Sequence, residues 1–157
     1  MRVIAGKFRS RSLKSLKGLA LRPTSDRLRE TLFNVLAERV ADARFVDAFA
    51  GTGAVGIEAL SRGAREVIFI ENHLPAVALI RKNLRALGIQ SLGSVLALDT
   101  LRGLQRLVAN PPAASSLVDI VYLDPPYAAA QDYLACVAIA LLPNQSACRR
   151  RKAGISK

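Results

Sequence analysis

Asp124-Pro125-Pro126-Tyr127 follows directly on an apolar run, Asp119-Ile120-Val121-Tyr122-Leu123. Two consecutive prolines hold the backbone extended and remove two N–H donors, so the carbonyls of the turn face a ligand without donor competition. The set suits a planar base with an exocyclic amine. Asp124 and the Pro125 carbonyl would accept its two N–H bonds while Tyr127 stacks on the ring, which aims the nitrogen lone pair for in-line displacement. Positioning of this kind supplies much of a rate acceleration. The bland alternative is a plain turn after a strand. Asn110-Pro111-Pro112-Ala113 shares the prolines, lacks the aromatic and follows a helical segment, and we assign it no function.

Val46-Asp47-Ala48-Phe49-Ala50-Gly51-Thr52-Gly53-Ala54-Val55-Gly56 carries the second pattern, G-x-G-x-x-G between a strand and a helix. Glycines let the backbone approach a ligand that a Cβ would exclude. Alone, this spacing is as often structural as functional. Two carboxylates sharpen it: Asp47 ends the strand before the loop, and Glu71 ends the next strand, where it can accept from both hydroxyls of a ribose. Asp47 would repel a pyrophosphate lying over the loop but suits a cation. A nucleoside carrying an ammonium and a sulfonium, S-adenosylmethionine, therefore fits better than a dinucleotide. Asp99 follows a third strand and can accept from the adenine amine; capping the helix that begins near Leu101 is a second reading, compatible with the first.

These residues need strand ends to hold them, and the hydrophobic pattern supplies the strands. Phe45 to Phe49, Glu66 to Ile70, Ser94 to Leu98 and Val118 to Leu123 read as four short strands. Helical segments separate them over Ile57 to Arg62, Pro75 to Leu87 and Leu101 to Ala109, and Gln131 to Leu142 is helical again. Strands alternating with helices predict a parallel sheet in a doubly wound α/β sandwich. Upstream, Thr24, Ser25 and Asp26 offer helix caps. Leu28, Leu32, Val35 and Leu36 predict the apolar face of an amphipathic helix reaching about Arg39, with Arg27, Glu30, Asn34 and Glu38 on the other face.

A chain of 157 residues with 51% hydrophobic and 22% charged residues has the material for one folded domain. No apolar stretch approaches the roughly 20 residues of a membrane span, and the first residues form no signal peptide, so a cytoplasmic location is expected. Cys136 and Cys148 make no disulfide framework, and with the lone His73 they predict no metal site. Cys136 reads as a small buried hydrophobe. The net charge of +11 is unevenly spread: residues 1–40 carry 10 basic and 3 acidic groups, 41–143 carry 8 and 9, and 144–157 carry 5 and none. A neutral body with a basic arm suits a protein that does its chemistry in one place and grips a polyanion with another.

The chain resembles the S-adenosylmethionine-dependent methyltransferases of exocyclic amines, and within them the bacterial 16S ribosomal RNA guanine-N2 methyltransferases that carry D-P-P-Y. The likeness rests on Arg2 to Lys7 with Arg9 and Arg11, on Arg22 to Asn34, on Asp47 to Gly63 with its Glu-Ala-Leu-Ser-Arg-Gly ending, and on Asp124 to Tyr127. It implies a Rossmann-like class I methyltransferase fold, with an incomplete methyltransferase domain over 23–142; the loosely alternating, basic residues 1–22 read as a hairpin or arm, and 143–157, which carry no strand or helix period, as a basic, disordered tail. It further implies that Asp47, Phe49, Gly51, Gly53, Glu71 and Asp99 hold S-adenosylmethionine, and that Asp124, Pro125, Pro126 and Tyr127 receive a flipped guanine. Arg2, Lys7, Arg9, Arg11, Arg22, Arg27 and Arg29 are to contact 16S rRNA or an assembling small ribosomal subunit, the protein acting as a monomer. For Arg27 and Arg29 the alternative is a surface ion pair with Glu30. The family's sheet continues with three more strands, which Pro143 to Lys157 do not supply, as a reading-frame change near Leu142 would explain; the strand before Asp124 is then expected at an unprotected edge. Two other functions compete: an inactive RNA-binding remnant of such an enzyme, and a DNA adenine-N6 methyltransferase, for whose target-recognition region the chain has no room.

Overall fold

The computed structural model describes residues 1–15, 25–109, 118–125 and 130–141. Arg22, Pro126, Tyr127, Cys148, the 110–116 loop and the 143–157 tail lie outside them. Chain order is α1 (Asp26–Leu36), a 3-10 turn (Ala37–Val40), β1 (Arg44–Asp47), α2 (Ala54–Ser61), β2 (Glu66–Ile70), α3 (Leu74–Leu87), β3 (Gly93–Leu96), α4 (Thr100–Ala109), β4 (Ile120–Tyr122) and α5 (Ala130–Ala140). The strands form a wholly parallel sheet in the order β3-β2-β1-β4.

Alternation along the strands divides the interior into two layers. Phe45, Val67 and Phe69 face a core that includes Val55, Ile57, Ile80 and Leu84 from α2 and α3. Val46, Ile68 and Ile70 face the opposite way, against Leu104 of α4 and Cys136 of α5. Helices therefore cover both faces of a parallel sheet, the Rossmann-like arrangement expected. Cys136 is fully buried, as its apolar setting predicts. β4 pairs with β1 through Phe45↔Ile120, Val46↔Val121 and Asp47↔Tyr122, and its three residues are only half-buried. Among the described residues it forms an edge of the sheet.

Residues 1–13 form a small hairpin-like arm. The amide of Val3 donates to the Arg11 carbonyl at 3.0 Å, and those of Ser10 and Leu13 donate to the carbonyls of Val3 and Met1 at 2.9 Å each. Val3 and Leu13 enter the same core as Phe33 and Phe45. The arm is thus docked on the domain. Gly6, at φ +80°, lies so close to α2 that a Cβ would run into the Ser61 carbonyl, so the approach requires glycine.

One expectation fails at α1. Its buried residues are Arg29 and Phe33, with Leu32 and Leu36 half-buried, while Leu28 and Val35 are 53% and 77% exposed. Phe33 decides the rotation: its ring packs on Phe45 at 6.3 Å between centroids, and the Arg62 guanidinium lies over it at 5.0 Å. An aromatic buries more area than Val35 could, and Arg29, one turn earlier on the same stripe, is carried inside with it. The helix also stops at Leu36 and tightens into the 3-10 turn before reaching Arg39.

Candidate active site

Parallel strands bring their carboxyl ends to one edge, and the register decides which residues meet there. Asp47 ends β1 opposite Phe69 of β2 and Tyr122 of β4. Two residues beyond those partners stand Glu71 and Asp124, so three adjacent strands deliver three carboxylates to the same edge. The sheet reverses its order between β1 and β4, which is where open α/β sheets form their ligand crevice.

The glycine loop is held over that edge by two of these carboxylates. Asp47 Oδ2 accepts from the Gly56 amide at 2.9 Å. Glu71 Oε2 accepts from the Gly51 amide at 2.7 Å, and its Oε1 accepts from the His73 amide at 2.8 Å. Gly53 caps α2 at φ +76°, a conformation that glycine adopts without strain. A Cβ at Gly51 would meet nothing within 4 Å, so open space lies above the loop. A Cβ at Gly56 would instead strike the Phe69 ring, so this glycine sets how closely α2 seats on β2. The three glycines therefore do different work.

Burial pushes the Asp47 carboxyl up to about 7; the Gly56 N–H opposes the shift, and the negative charges of Asp124 and Glu71 reinforce it. Only 1% of Asp47 is exposed. It therefore braces the loop from inside the core. Glu71 is half-buried, and each of its oxygens keeps a lone pair after one N–H bond, enough for two ligand hydroxyls. Phe49 is half-buried beside the loop. These residues fit a cationic nucleoside: open space above Gly51, remaining lone pairs on both Glu71 oxygens, and a group of carboxyls at the strand ends.

Asp99 caps α4, a role compatible with the adenine contact expected of it. Its Oδ1 accepts from the Arg102 amide at 3.0 Å, and Oδ2 pairs with Arg102 Nε at 3.4 Å. Asp124, exposed, receives the Tyr122 hydroxyl at 3.2 Å on Oδ2, and Pro125 follows half-buried. Pro126 and Tyr127 lie outside the described residues.

Of the basic residues expected to face RNA, Arg2, Lys7, Arg9, Arg11 and Arg27 are exposed. Arg29 is not: it is fully buried, and its guanidinium donates to Asp26 Oδ1 at 2.7 Å and to the Arg2 carbonyl at 2.9 Å. It is neither an RNA contact nor a partner of Glu30; the rotation of α1 about Phe33 put it inside.

Sequence reading missed the residues that dock the arm. Glu58 of α2, wholly buried, accepts from the Ile4 and Ala5 amides at 2.8 and 3.0 Å and from Arg62 Nε at 2.9 Å. Ser61 donates to the Ala5 carbonyl at 2.5 Å and accepts from the Phe8 amide at 3.0 Å. Asn83 of α3 exchanges two hydrogen bonds with the Lys14 backbone, at 2.9 and 3.2 Å. Their signal was available, for a glutamate and a serine three apart in an otherwise small and apolar helix are out of place unless paired.

The family described as Conserved hypothetical protein 95 matches residues 1–152. Ribosomal RNA small subunit methyltransferase D of Haemophilus influenzae is 39% identical over 127 residues, covering 81% of this chain and 64% of that protein. The Escherichia coli protein of the same name is 39% identical over 133 residues, covering 81% and 60%. A hypothetical protein of Thermus thermophilus superposes with a TM-score of 0.74 at 34% identity, over 90% of this chain and 79% of that one. The chain thus spans somewhat under two thirds of the length of the two named methyltransferases. With a match over nearly its whole length and the glycine loop, carboxylate edge and docked arm in place, the chain belongs to the Conserved hypothetical protein 95 family, in the methyltransferase form of the Rossmann-like fold.

Proposed function

We propose that this protein transfers a methyl group from S-adenosylmethionine to the exocyclic N2 amine of a guanine in 16S rRNA. The observation that carries the reading is the juxtaposition, on one sheet edge, of a braced glycine loop with the exposed Asp124 of the next strand. It is supported by the rRNA methyltransferases to which the chain is 39% identical.

Gly51 and Gly53 would lie under the cofactor, Glu71 would accept from its ribose hydroxyls, and Asp47 would complement its positive charge. When bound, the cofactor supplies an electrophilic methyl group on a sulfonium. The protein's own part is positional: Asp124 and the Pro125 carbonyl accept the two N–H bonds of the guanine amine, and Tyr127 stacks on the base. With the cofactor bound, the nitrogen lone pair would be held toward that methyl group, and the Asp124 carboxylate would take up the amine proton and pass it to water. Arg2, Lys7, Arg9, Arg11, Arg22 and Arg27 contact the rRNA from the 1–22 arm and the start of the 23–142 domain.

Tritium transfer to 16S rRNA, to assembling small subunits and to duplex DNA tests the reading. Incorporation into guanine N2 of an RNA substrate, absent from Asp124→Ala, is expected. DNA as the better acceptor would replace it with the adenine reading, and RNA binding without transfer would replace it with the remnant reading.

A further inference from the structure

Arg29 is an odd residue to bury. Hydrophobic side chains of its size fill such a space with equal or greater stability, because an ion taken from water loses its hydration. Its Nε has no partner among the described residues, so the site is not built for stability alone. What the guanidinium does is join three segments. One nitrogen reaches both the Arg2 carbonyl on the arm, at 2.9 Å, and Asp26 at the start of α1, at 2.7 Å; the other makes a long contact of 3.5 Å to the carbonyl of Ala54. Ala54 is the first residue of α2, immediately after the glycine loop.

A second contact runs parallel to the first. The Thr52 hydroxyl, inside the glycine loop, lies 3.8 Å from the sulfur of Met1, the residue that opens the arm. Asp26 is moreover shared: Oδ1 binds Arg29, while Oδ2 stands 3.8 Å from Nε of Arg2, whose side chain is 69% exposed. A phosphate that engages the Arg2 guanidinium competes with Asp26 for it and leaves that carboxylate to Arg29 alone. Arg2 thus offers its side chain outward to a polyanion while its carbonyl is held by the group that also holds the loop's end.

Resting on the proposed RNA role of the arm and cofactor role of the loop, we propose that Arg29 is a positioning residue that couples the two, so that RNA on the arm raises affinity for the cofactor at the loop. Coupling of this kind is reciprocal: the cofactor raises RNA affinity by the same factor.

The test is equilibrium dialysis of radiolabelled S-adenosylhomocysteine against the full chain, with and without in vitro transcribed 16S rRNA, in wild type, Arg29→Lys and Arg29→Met. In wild type the dissociation constant is expected to fall roughly fivefold or more when rRNA is present. The variants are expected to bind each ligand alone as wild type does and to lose that difference, and in turnover Arg29→Lys raises the cofactor KM at saturating RNA while keeping kcat. Wild type that binds both ligands with no mutual effect overturns the coupling and leaves the proposed function standing. Variants that retain the full effect overturn the role of Arg29. Wild type that binds no rRNA removes the reading beneath it and the coupling together. Should the variants not fold, amide exchange in wild type decides: rRNA alone is expected to slow exchange at residues 53–57, and unchanged exchange there overturns the proposal.

Discussion

On the β2 side of β1 the glycine loop is tied down before any ligand arrives: Asp47 and Glu71 take amides from Gly56 and Gly51, and the arm clamps α2 through Glu58 and Ser61. On the β4 side a three-residue, half-buried strand pairs with β1 and leads, two residues past its end, to an exposed Asp124. The geometry of the proposed cofactor side is therefore part of the folded core. The geometry of the proposed target side rests, among the described residues, on one strand pairing. A flank built into the core fails through stability when it is cut, whereas an exposed flank fails through chemistry alone, and substitutions can tell the two apart.

The largest expected effect falls on the exposed side. Asp124→Ala should lower methyl transfer by roughly a thousandfold, about 4 kcal/mol of transition-state positioning. Melting temperature and S-adenosylhomocysteine affinity should be those of wild type; a large drop in melting would show that the β4 flank is core after all. Next comes Glu58→Ala on the braced side, which strands two arm amides and Arg62 and should cost roughly 3 kcal/mol in denaturant unfolding, with kcat changed mainly through loss of folded protein.

Asp47→Ala removes the Gly56 acceptor and the field beneath the loop. A roughly tenfold weaker cofactor affinity, about 1.4 kcal/mol, is expected by calorimetry. Equal affinity in both proteins would refute the assignment. Titration offers a gentler probe of the same group. A carboxyl raised from 3.8 to about 7 holds its proton in the native state and loses it on unfolding, so its stabilising contribution is complete below about pH 4 and disappears as pH rises through about 7. The melting temperature of the ligand-free protein should decline across that window more steeply than that of Asp47→Asn. Cofactor affinity should rise over the same range in wild type only, because a cation favours the ionised carboxylate. The smallest effect belongs to α1: Val35→Ser, at a residue 77% exposed, should change stability by less than about 0.5 kcal/mol. A larger cost would mean that the periodicity, and not the observed rotation, describes that helix.

Strand ends and the glycine loop were legible because each is written in a local pattern. The G-x-G-x-x-G spacing, the run before Asp124 and the strand-helix alternation need only neighbours to be read, and the observed elements begin and end within a few residues of those boundaries. Asp99 was legible as a cap for the same reason, since its partner is three residues away.

By itself, then, the sequence determined the element types, the parallel α/β class and the residues that terminate each strand. Tertiary structure alone decided which of those ends meet, through the β3-β2-β1-β4 order, and which charges go inside. Arg29 reaches the Arg2 carbonyl 27 residues away, and Glu58 reaches the Ile4 amide 54 residues away. Periodicity reports whether a residue type is apolar. Whether a charge is buried depends on the partners that compensate its lost hydration, and those partners become neighbours only when the chain has closed.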